Sequence, residues 1–315
     1  MPNWTSLPNW TSLLNRVRPP HWVRVPQWKW LLLCTGLGCQ SNMPNATPPA
    51  PASSQLPPEA AQAARAPTTT GAGVTRDCVN YSTTAQGPYH YQNNMWAEGK
   101  AKGPFEQCIV ARQSAGKTQL GWTWSWPGYE PLGFGYPEII FGWKPWSERS
   151  TTPALPLRIS EIRALTLRYA VTTEHTGKAA LSISMFVTDS SRASAPNPQS
   201  IVAELVLWLD YPEQATPVGT RTAQFEVAGT SYELWYTPQH GDRGDGKGWE
   251  LFYLKGSNHQ RKGTIQLQPL LAWLSTQNLL RNDRFVASVE LGNELMGGSG
   301  TTWVQDFDVV VNPAG

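Results

Sequence analysis

Apolar and polar residues alternate in many short runs between about residue 75 and the C-terminus. The runs cover residues 89–96, 118–126, 165–173, 179–187, 201–209, 231–236, 249–254, 285–291 and 302–311. A period of two places successive side chains on opposite faces of a β-strand. Clusters of Gly, Pro, Asn and Asp separate the runs, as turns do. The pattern predicts an all-β fold, a β-sandwich of the jelly-roll type.

One segment, residues 265–280, has a different period. Its apolar residues recur at helical spacing, and Pro269 lies where a first helical turn tolerates proline. We therefore expect a single helix that packs on a sheet.

The N-terminal part of the chain has another composition. Basic residues precede a short apolar run at 30–39, which is too short to span a bilayer and is typical of an export signal. The run ends at Cys39, where the sequence resembles a bacterial lipoprotein cleavage site, so secretion and a lipid anchor on the cell surface both stay open. Residues 43–74 are rich in Pro, Ala, Gln, Ser and Thr and cannot bury enough apolar surface to order themselves. The expected organisation is an export signal over 1–42, a linker over 43–74 and one β-jelly-roll domain over 75–315.

Charge and composition limit the classes of molecule that the protein is expected to bind. A net charge of +2 and a charged fraction of 15% argue against nucleic acid, which needs clustered Lys and Arg. The sixteen Trp outnumber the eight Phe, and the flat indole ring suits the face of a sugar, although Trp also fills sandwich cores. His and Cys lack the spacing of a zinc site. We expect a neutral partner, a monomer, and neither a metal nor another cofactor.

The candidate chemistry lies in three glutamates on two predicted strands. On the strand over 201–209, Glu204 shares one face with Val206 and Trp208, while the other face carries Ala203, Leu205, Leu207 and Leu209. The strand near the C-terminus puts Ser288, Glu290, Gly292 and Glu294 on one face. Carboxylates on apolar strands are costly to desolvate, which makes them candidates for function. Two carboxylates that face each other across a cleft are what hydrolysis of a glycosidic bond requires.

Three segments resemble glycoside hydrolase family 12. ELVLW at 204–208, followed by PVG at 217–219, resembles the nucleophile strand and its loop. SVELGNE at 288–294, with GGSG at 297–300, is similar to the acid/base strand, and YQNNMW at 91–96 resembles an early substrate-binding strand. The resemblance implies a concanavalin A-like jelly roll with a concave cleft, and retaining endo-hydrolysis of β-1,4-glucans.

The resemblance also implies roles for individual residues. Glu204 becomes the nucleophile and Glu294 the general acid/base, while Asn94 and Trp96 contact glucose units. Cys78 and Cys108 bracket the early strand as the family's first disulfide does. Ser184 falls where many members carry an Asp that hydrogen-bonds the nucleophile, Val206 replaces a Met, and Leu295 replaces a Pro.

Further expectations concern residues near the two catalytic candidates. Glu290 occupies the position of a family Gln, where we expect it to contact substrate and to keep Glu294 protonated by charge repulsion. Trp208, beside Glu204, is expected to contact a sugar. Trp124 alternates with Trp122 and Trp126, so the three form either a stacking platform or part of the interior.

Several functions stay open at this point. Unbranched β-1,4-glucan and xyloglucan are alternative substrates, since the cleft loops that decide between them cannot be read from sequence. A non-catalytic carbohydrate-binding jelly roll would keep the Trp faces but has no need of opposed glutamates. A third alternative, a surface lipoprotein with a scaffolding role, is supported by Cys39 alone.

Overall fold

A computed structural model of the protein describes residues 68–70 and 73–313. The predicted export signal over 1–42, Cys39 and most of the predicted linker lie outside these described residues. The end of that linker belongs to the fold, because strand β1 (Thr68–Thr70) pairs with strand β2 (Val74–Asp77) in an antiparallel hairpin. The predicted boundary at residue 74 is therefore wrong: backbone pairing includes residues that composition assigned to a linker.

The described part of the chain contains sixteen strands, one α-helix and three short 3-10 helices. The remaining strands are β3 Thr83–Gln86, β4 Tyr89–Gln92, β5 Glu106–Ser114, β6 Lys117–Trp126, β7 Glu138–Gly142, β8 Leu157–Arg158, β9 Ile162–Thr188, β10 Ile201–Asp210, β11 Thr220–Val227, β12 Thr230–His240, β13 Trp249–Gly256, β14 Lys262–Gln266, β15 Phe285–Val286 and β16 Ser288–Pro313. The helix, α1, spans Leu267–Thr276. The prediction of an all-β fold with a single α-helix is confirmed.

Two long strands, β9 and β16, organise the sheets. They pair with each other in antiparallel register along most of their length. The first part of β16 continues through β7 and β4 to β3, while the second half of β9 continues through β10, β13 and β12 to β11. The later part of β16 pairs with β6, which continues through β5 and β2 to β1. The first part of β9 pairs with β14. The pairing forms the two layers of a jelly roll.

Two predicted strands merge in β9. The alternating runs 165–173 and 179–187 lie on one continuous strand, and Gly177 between them has φ of +78°. A Cβ at Gly177 would come within 2.7 Å of the carbonyl oxygen of Gly297. Glycine therefore lets the strand pass this point close to β16 without ending.

The core lies against one face of β10 and β16. It includes Ala203, Leu205, Leu207 and Leu209 on β10, and Val289, Leu291 and Leu295 on β16. Except for Leu295, these residues are the ones that alternation assigns to the face opposite the glutamates. Their burial leaves the intervening residues on the opposite face, which we call the site face.

The helix closes one side of the core. Leu267, Leu270, Leu271 and Leu274 are buried, and α1 packs against β9 and β11. Pro269 lies in the first turn, as expected. The helix is shorter than the predicted 265–280, because the first two residues of that range complete β14 and Asn278, with φ of +57°, ends the helical path.

A disulfide joins Cys78, just after β2, to Cys108 on β5, which confirms the predicted pairing. Within the described ranges, the one group of His, Cys, Asp or Glu close enough to ligate a metal is this pair with Glu106. Because both sulfurs are already bonded to each other, this group offers no thiolate to a metal.

We expect the Cys78→Ala/Cys108→Ala variant to unfold more easily. The bond closes a loop with a sequence separation of 30 residues, so its loss should lower the free energy of unfolding by about 3 to 4 kcal/mol. Equilibrium denaturation in guanidinium chloride measures the loss, and the parent treated with a reductant serves as the control. A loss below about 1 kcal/mol would contradict the loop-closure argument.

Candidate active site

Glu204 and Glu294 lie on the site face, on strands that both pair with β9. Glu204 is opposite Phe186 of β9, and Glu294 is opposite Ala180. Both glutamates are partly exposed, and the charge of Glu204 acts on Glu294. The structure therefore brings together the two carboxylates that strand alternation selected, although 90 residues separate them in sequence.

Two buried donors hold the carboxylate of Glu204. The Ser184 hydroxyl donates to Oε1 at 2.9 Å, and the Trp249 indole Nε1–H donates to Oε2 at 3.1 Å. Burial raises the pKa of Glu204 to about 6, and these two hydrogen bonds oppose the rise because they favour the ionised form. Glu204 is therefore an oriented carboxylate that is ionised near neutral pH.

Glu294 has a separate pair of aromatic donors. The Trp208 indole Nε1–H donates to Oε1 at 2.8 Å, and the Tyr253 hydroxyl donates to Oε2 at 2.9 Å. Burial raises the pKa of Glu294 to about 7, the hydrogen bonds from Trp208, Tyr253 and Ser182 lower it, and the charge of Glu204 raises it. The pKa of Glu294 is thus higher than that of Glu204, so Glu294 keeps its proton to higher pH, as a general acid beside an ionised nucleophile must.

Glu290 does not lie where substrate could reach it. It is fully buried, its Oε1 accepts a hydrogen bond from Ser288 at 2.7 Å, and its Oε2 lies 3.3 Å from Lys144 Nζ. The expected direct contact with substrate is therefore wrong. The Glu290 charge raises the pKa of Glu204, and its expected effect on Glu294 stays a prediction.

The two other expected contacts on the early strand lie just after β4. The Asn94 amide Nδ2 donates to Glu138 Oε1 at 3.1 Å, and Asn94 is 8% exposed. Trp96 is 45% exposed, and Lys100 Nζ lies 5.5 Å from its ring centroid. Trp96 thus presents an open aromatic face, whereas Asn94 is largely covered.

Two of the expected stacking residues are buried instead. Trp208 is 4% exposed, and its N–H is engaged by Glu294. Trp208 therefore holds the carboxylate of Glu294. Its burial does not agree with the expected contact between Trp208 and a sugar. Trp124 is 2% exposed and belongs to the main hydrophobic core, so the interior alternative describes it and the expected sugar contact is wrong. The face of β6 that carries Trp124 points toward the core.

Sequence reasoning missed four residues that contact the site glutamates or underlie them. They are Trp249 and Tyr253 on β13, Glu138 on β7 and Lys144 after it. The alternation of residues 249–254 could have placed Trp249 and Tyr253 on one face, but only sheet pairing shows that this face adjoins Glu204 and Glu294. Glu138 begins a continuous apolar run, which lacks the alternation that would have marked it.

The chain is similar to known proteins over most of the residues that the structure describes. The model of the family described as Glycosyl hydrolase family 12 matches residues 87–312. Endoglucanase S from Pectobacterium parmentieri is 24% identical over 226 residues, covering 71% of this chain and 81% of that protein. A probable xyloglucan-specific endo-beta-1,4-glucanase A from Aspergillus terreus is 24% identical over 251 residues, covering 77% of this chain and 90% of that protein.

Solved structures share the fold. The native family 12 xyloglucanase from Bacillus licheniformis superposes with a TM-score of 0.65 at 22% identity, over 75% of this chain and 100% of that one. Endoglucanase Cel12A from Rhodothermus marinus gives a TM-score of 0.60 at 21% identity, over 76% of this chain and 99% of that one. Since the family model spans more than half of its length, the chain belongs to glycosyl hydrolase family 12.

Proposed function

We propose that the protein is an endo-acting, retaining glycoside hydrolase that cleaves β-1,4-glucan chains. The observation that carries the proposal is the pair Glu204 and Glu294, held on one face by separate donors and ionising at different pH. The family and the endoglucanases among its relatives support the same activity.

The two carboxylates supply both steps of the reaction. In the first step, the ionised Glu204 attacks the anomeric carbon while Glu294 gives its proton to the leaving glycosidic oxygen, and a glycosyl ester with Glu204 forms. In the second step, Glu294 takes a proton from water, the water oxygen bonds to the anomeric carbon, and the Glu204 carboxylate leaves. Two displacements at the same carbon retain its configuration, and the residues complete the cycle without a cofactor.

Two residues that follow β4 are the proposed substrate contacts. The open ring of Trp96 offers a surface on which a glucosyl unit can stack. Asn94 lies two residues earlier, is 8% exposed and donates to Glu138, and we propose it as a hydrogen-bond partner of a sugar hydroxyl. Xyloglucan is the alternative substrate, and the xyloglucan-specific relative and the xyloglucanase structure support it.

A non-catalytic carbohydrate-binding jelly roll is the rival from another class. Such a protein would need aromatic faces, but it would not need two carboxylates whose partial desolvation costs free energy. The separate hydrogen-bond donors that hold Glu204 and Glu294 favour catalysis.

We further propose that the protein works outside the cytoplasm, either secreted or attached to the cell surface through Cys39, as a monomer. The Cys78–Cys108 disulfide supports export, because disulfides persist in oxidising compartments. Among residues 68–70 and 73–313, the structure has no helix with the length and apolar character that crossing a membrane requires.

We expect Glu204→Ala and Glu294→Ala each to lower kcat on β-1,4-glucan by on the order of a thousandfold or more, because each removes a group that forms or breaks a bond. Release of reducing ends from carboxymethylcellulose and from xyloglucan measures the loss and identifies the preferred polymer. Glu250→Ala is the control. Glu250 lies on the same strand as Trp249 but on the opposite face from the site, where its carboxylate accepts a hydrogen bond from the Tyr236 hydroxyl. Full activity in either site variant would refute the assignment, and a parent that binds glucan without hydrolysis would favour the rival.

The pH dependence of kcat/KM should be bell-shaped. Activity falls below about pH 6, as Glu204 gains a proton, and falls above about pH 7, as Glu294 loses one. In Tyr253→Phe, Glu294 loses a hydrogen bond that favours its ionised form, so its pKa rises and the basic limb moves to higher pH. Tyr236→Phe is the matched control and should leave both limbs in place. A basic limb that stays fixed or moves to lower pH in Tyr253→Phe would contradict the role of this hydrogen bond.

A further inference from the structure

A buried cluster of three charged residues is centred on Glu290 of the site face. The side chain of Lys144 is 8% exposed, and its Nζ contacts Glu138 Oε1 and lies 3.3 Å from Glu290 Oε2. The side chains of Glu138 and Glu290 are 0% and 1% exposed. Ionic groups this deep carry a large desolvation cost and must balance one another. None of the three can reach a substrate, so the reaction steps above do not use them.

The cluster contains one cation and two acids, so a proton must balance it. Burial and the charge of Glu290 raise the pKa of Glu138 well above its ordinary value. Burial alone would lower the pKa of Lys144, but its two carboxyl partners outweigh that effect and raise it. The stable arrangement is therefore a protonated Glu138 beside the Lys144–Glu290 ion pair.

The cluster adjoins the nucleophile through β9. Glu290 is directly opposite Ser184, and Ser184 donates to Glu204 at 2.9 Å. On the other side, Lys144 Nζ lies 6.0 Å from the ring centroid of Phe186, and Phe186 is opposite Glu204 on β10. Two opposite charges thus lie beside Ser184 and Phe186, the residues of β9 that hydrogen-bond to Glu204 or pair with it.

Other titratable groups also face Glu204. Glu294 on β16 and Tyr253 on β13 interact with its charge, and His240 on β12 lies behind Trp249. Burial and the charge of Glu294 keep Tyr253 neutral by raising its pKa, and burial lowers the pKa of His240 to about 4, so His240 is also uncharged near neutral pH. Glu294, Glu290 and Lys144 are the charges that can act on Glu204 over the working range.

We propose that Glu290 and Lys144 are positioning residues for Glu204: beside Ser184, Lys144 favours the ionised nucleophile, Glu290 opposes it, and the balance of the two charges sets the pH at which Glu204 ionises. The inference rests on the proposed function, because it assigns these residues a part in the same hydrolysis. Glu138 serves as the proton-bearing third member, which keeps the buried charge balanced.

The two charged members should act in opposite directions. Glu290→Gln preserves shape and moves the negative charge from Glu290 to Glu138 on β7, one strand farther from Glu204. The acid limb of the kcat/KM profile should then move to lower pH, by less than the effect of one full charge. Lys144→Met leaves Glu138 and Glu290 to share one proton, and their remaining negative charge should move the same limb to higher pH. The basic limb should move less than the acid limb in both variants, because the groups that hold Glu294, Trp208 and Tyr253, are unchanged.

The experiment measures pH profiles of kcat/KM for the parent, Glu290→Gln, Lys144→Met and the double variant, with thermal unfolding recorded for each. The double variant leaves a neutral Glu138 alone in the pocket, so it should fold even if Lys144→Met does not, and its acid limb should lie close to that of the parent. Glu250→Gln, a half-buried glutamate on the reverse side of the sheet, is the matched control and should keep both limbs.

The outcomes separate the two proposals. Opposite displacement of the acid limb in the two single variants, or a lowered limb in Glu290→Gln that the double variant reverses, supports the positioning role. Lower activity or stability with both limbs unmoved shows that the cluster only supports the fold and overturns the inference while leaving the proposed function intact. A parent that fails to hydrolyse either polymer overturns the proposed function, and the inference with it.

Discussion

Strand alternation over a shared core is the constraint on which this site depends. The core faces of β10 and β16 are filled with aliphatic side chains, so neither strand can rotate or shift by one residue without burying acids in the core and exposing leucines. β9 lies between the two strands and fixes their register. The positions of Glu204 and Glu294 therefore follow from hydrophobic packing on the far side of the sheet, before any interaction between the glutamates themselves.

The site face puts those carboxyl groups in surroundings that favour the neutral form, and the hydrogen bonds then distinguish them. Each glutamate has its own donors, and Glu204 adjoins the buried pair of Glu290 and Lys144 through Ser184. The sequence departs from the resembling family at Ser184 and at Glu290, and these two residues face each other across β9 and β16. A carboxylate beside the nucleophile is thus present here, but on the neighbouring strand, with Lys144 to offset its charge.

The local pattern of residues predicted those strands, strand faces and helix that depend on residues close together in the chain. Alternation identified the strands of both glutamates and the faces they occupy, and helical spacing identified α1. Non-local pairing decided the rest. Trp124 and Trp96 both looked suited to sugar rings, but the first faces the core and the second faces solvent. β7 and its cluster residues escaped prediction because a strand covered on both faces reads as a continuous apolar run. Nothing in the order of residues joins Lys144 to Glu290, since their contact spans 146 positions.

The central claim is that Glu204 and Glu294 have separate roles, with Glu204 forming a bond to the sugar. A 2-fluoro cello-oligosaccharide carrying a good leaving group would test this most directly, because it traps the glycosyl-enzyme formed in the first step. Peptide mass spectrometry of the inactivated protein should find the sugar on Glu204 and leave Glu294 unlabelled. A label on Glu294, or turnover of true substrate with inverted configuration and no trapped ester, would contradict the account.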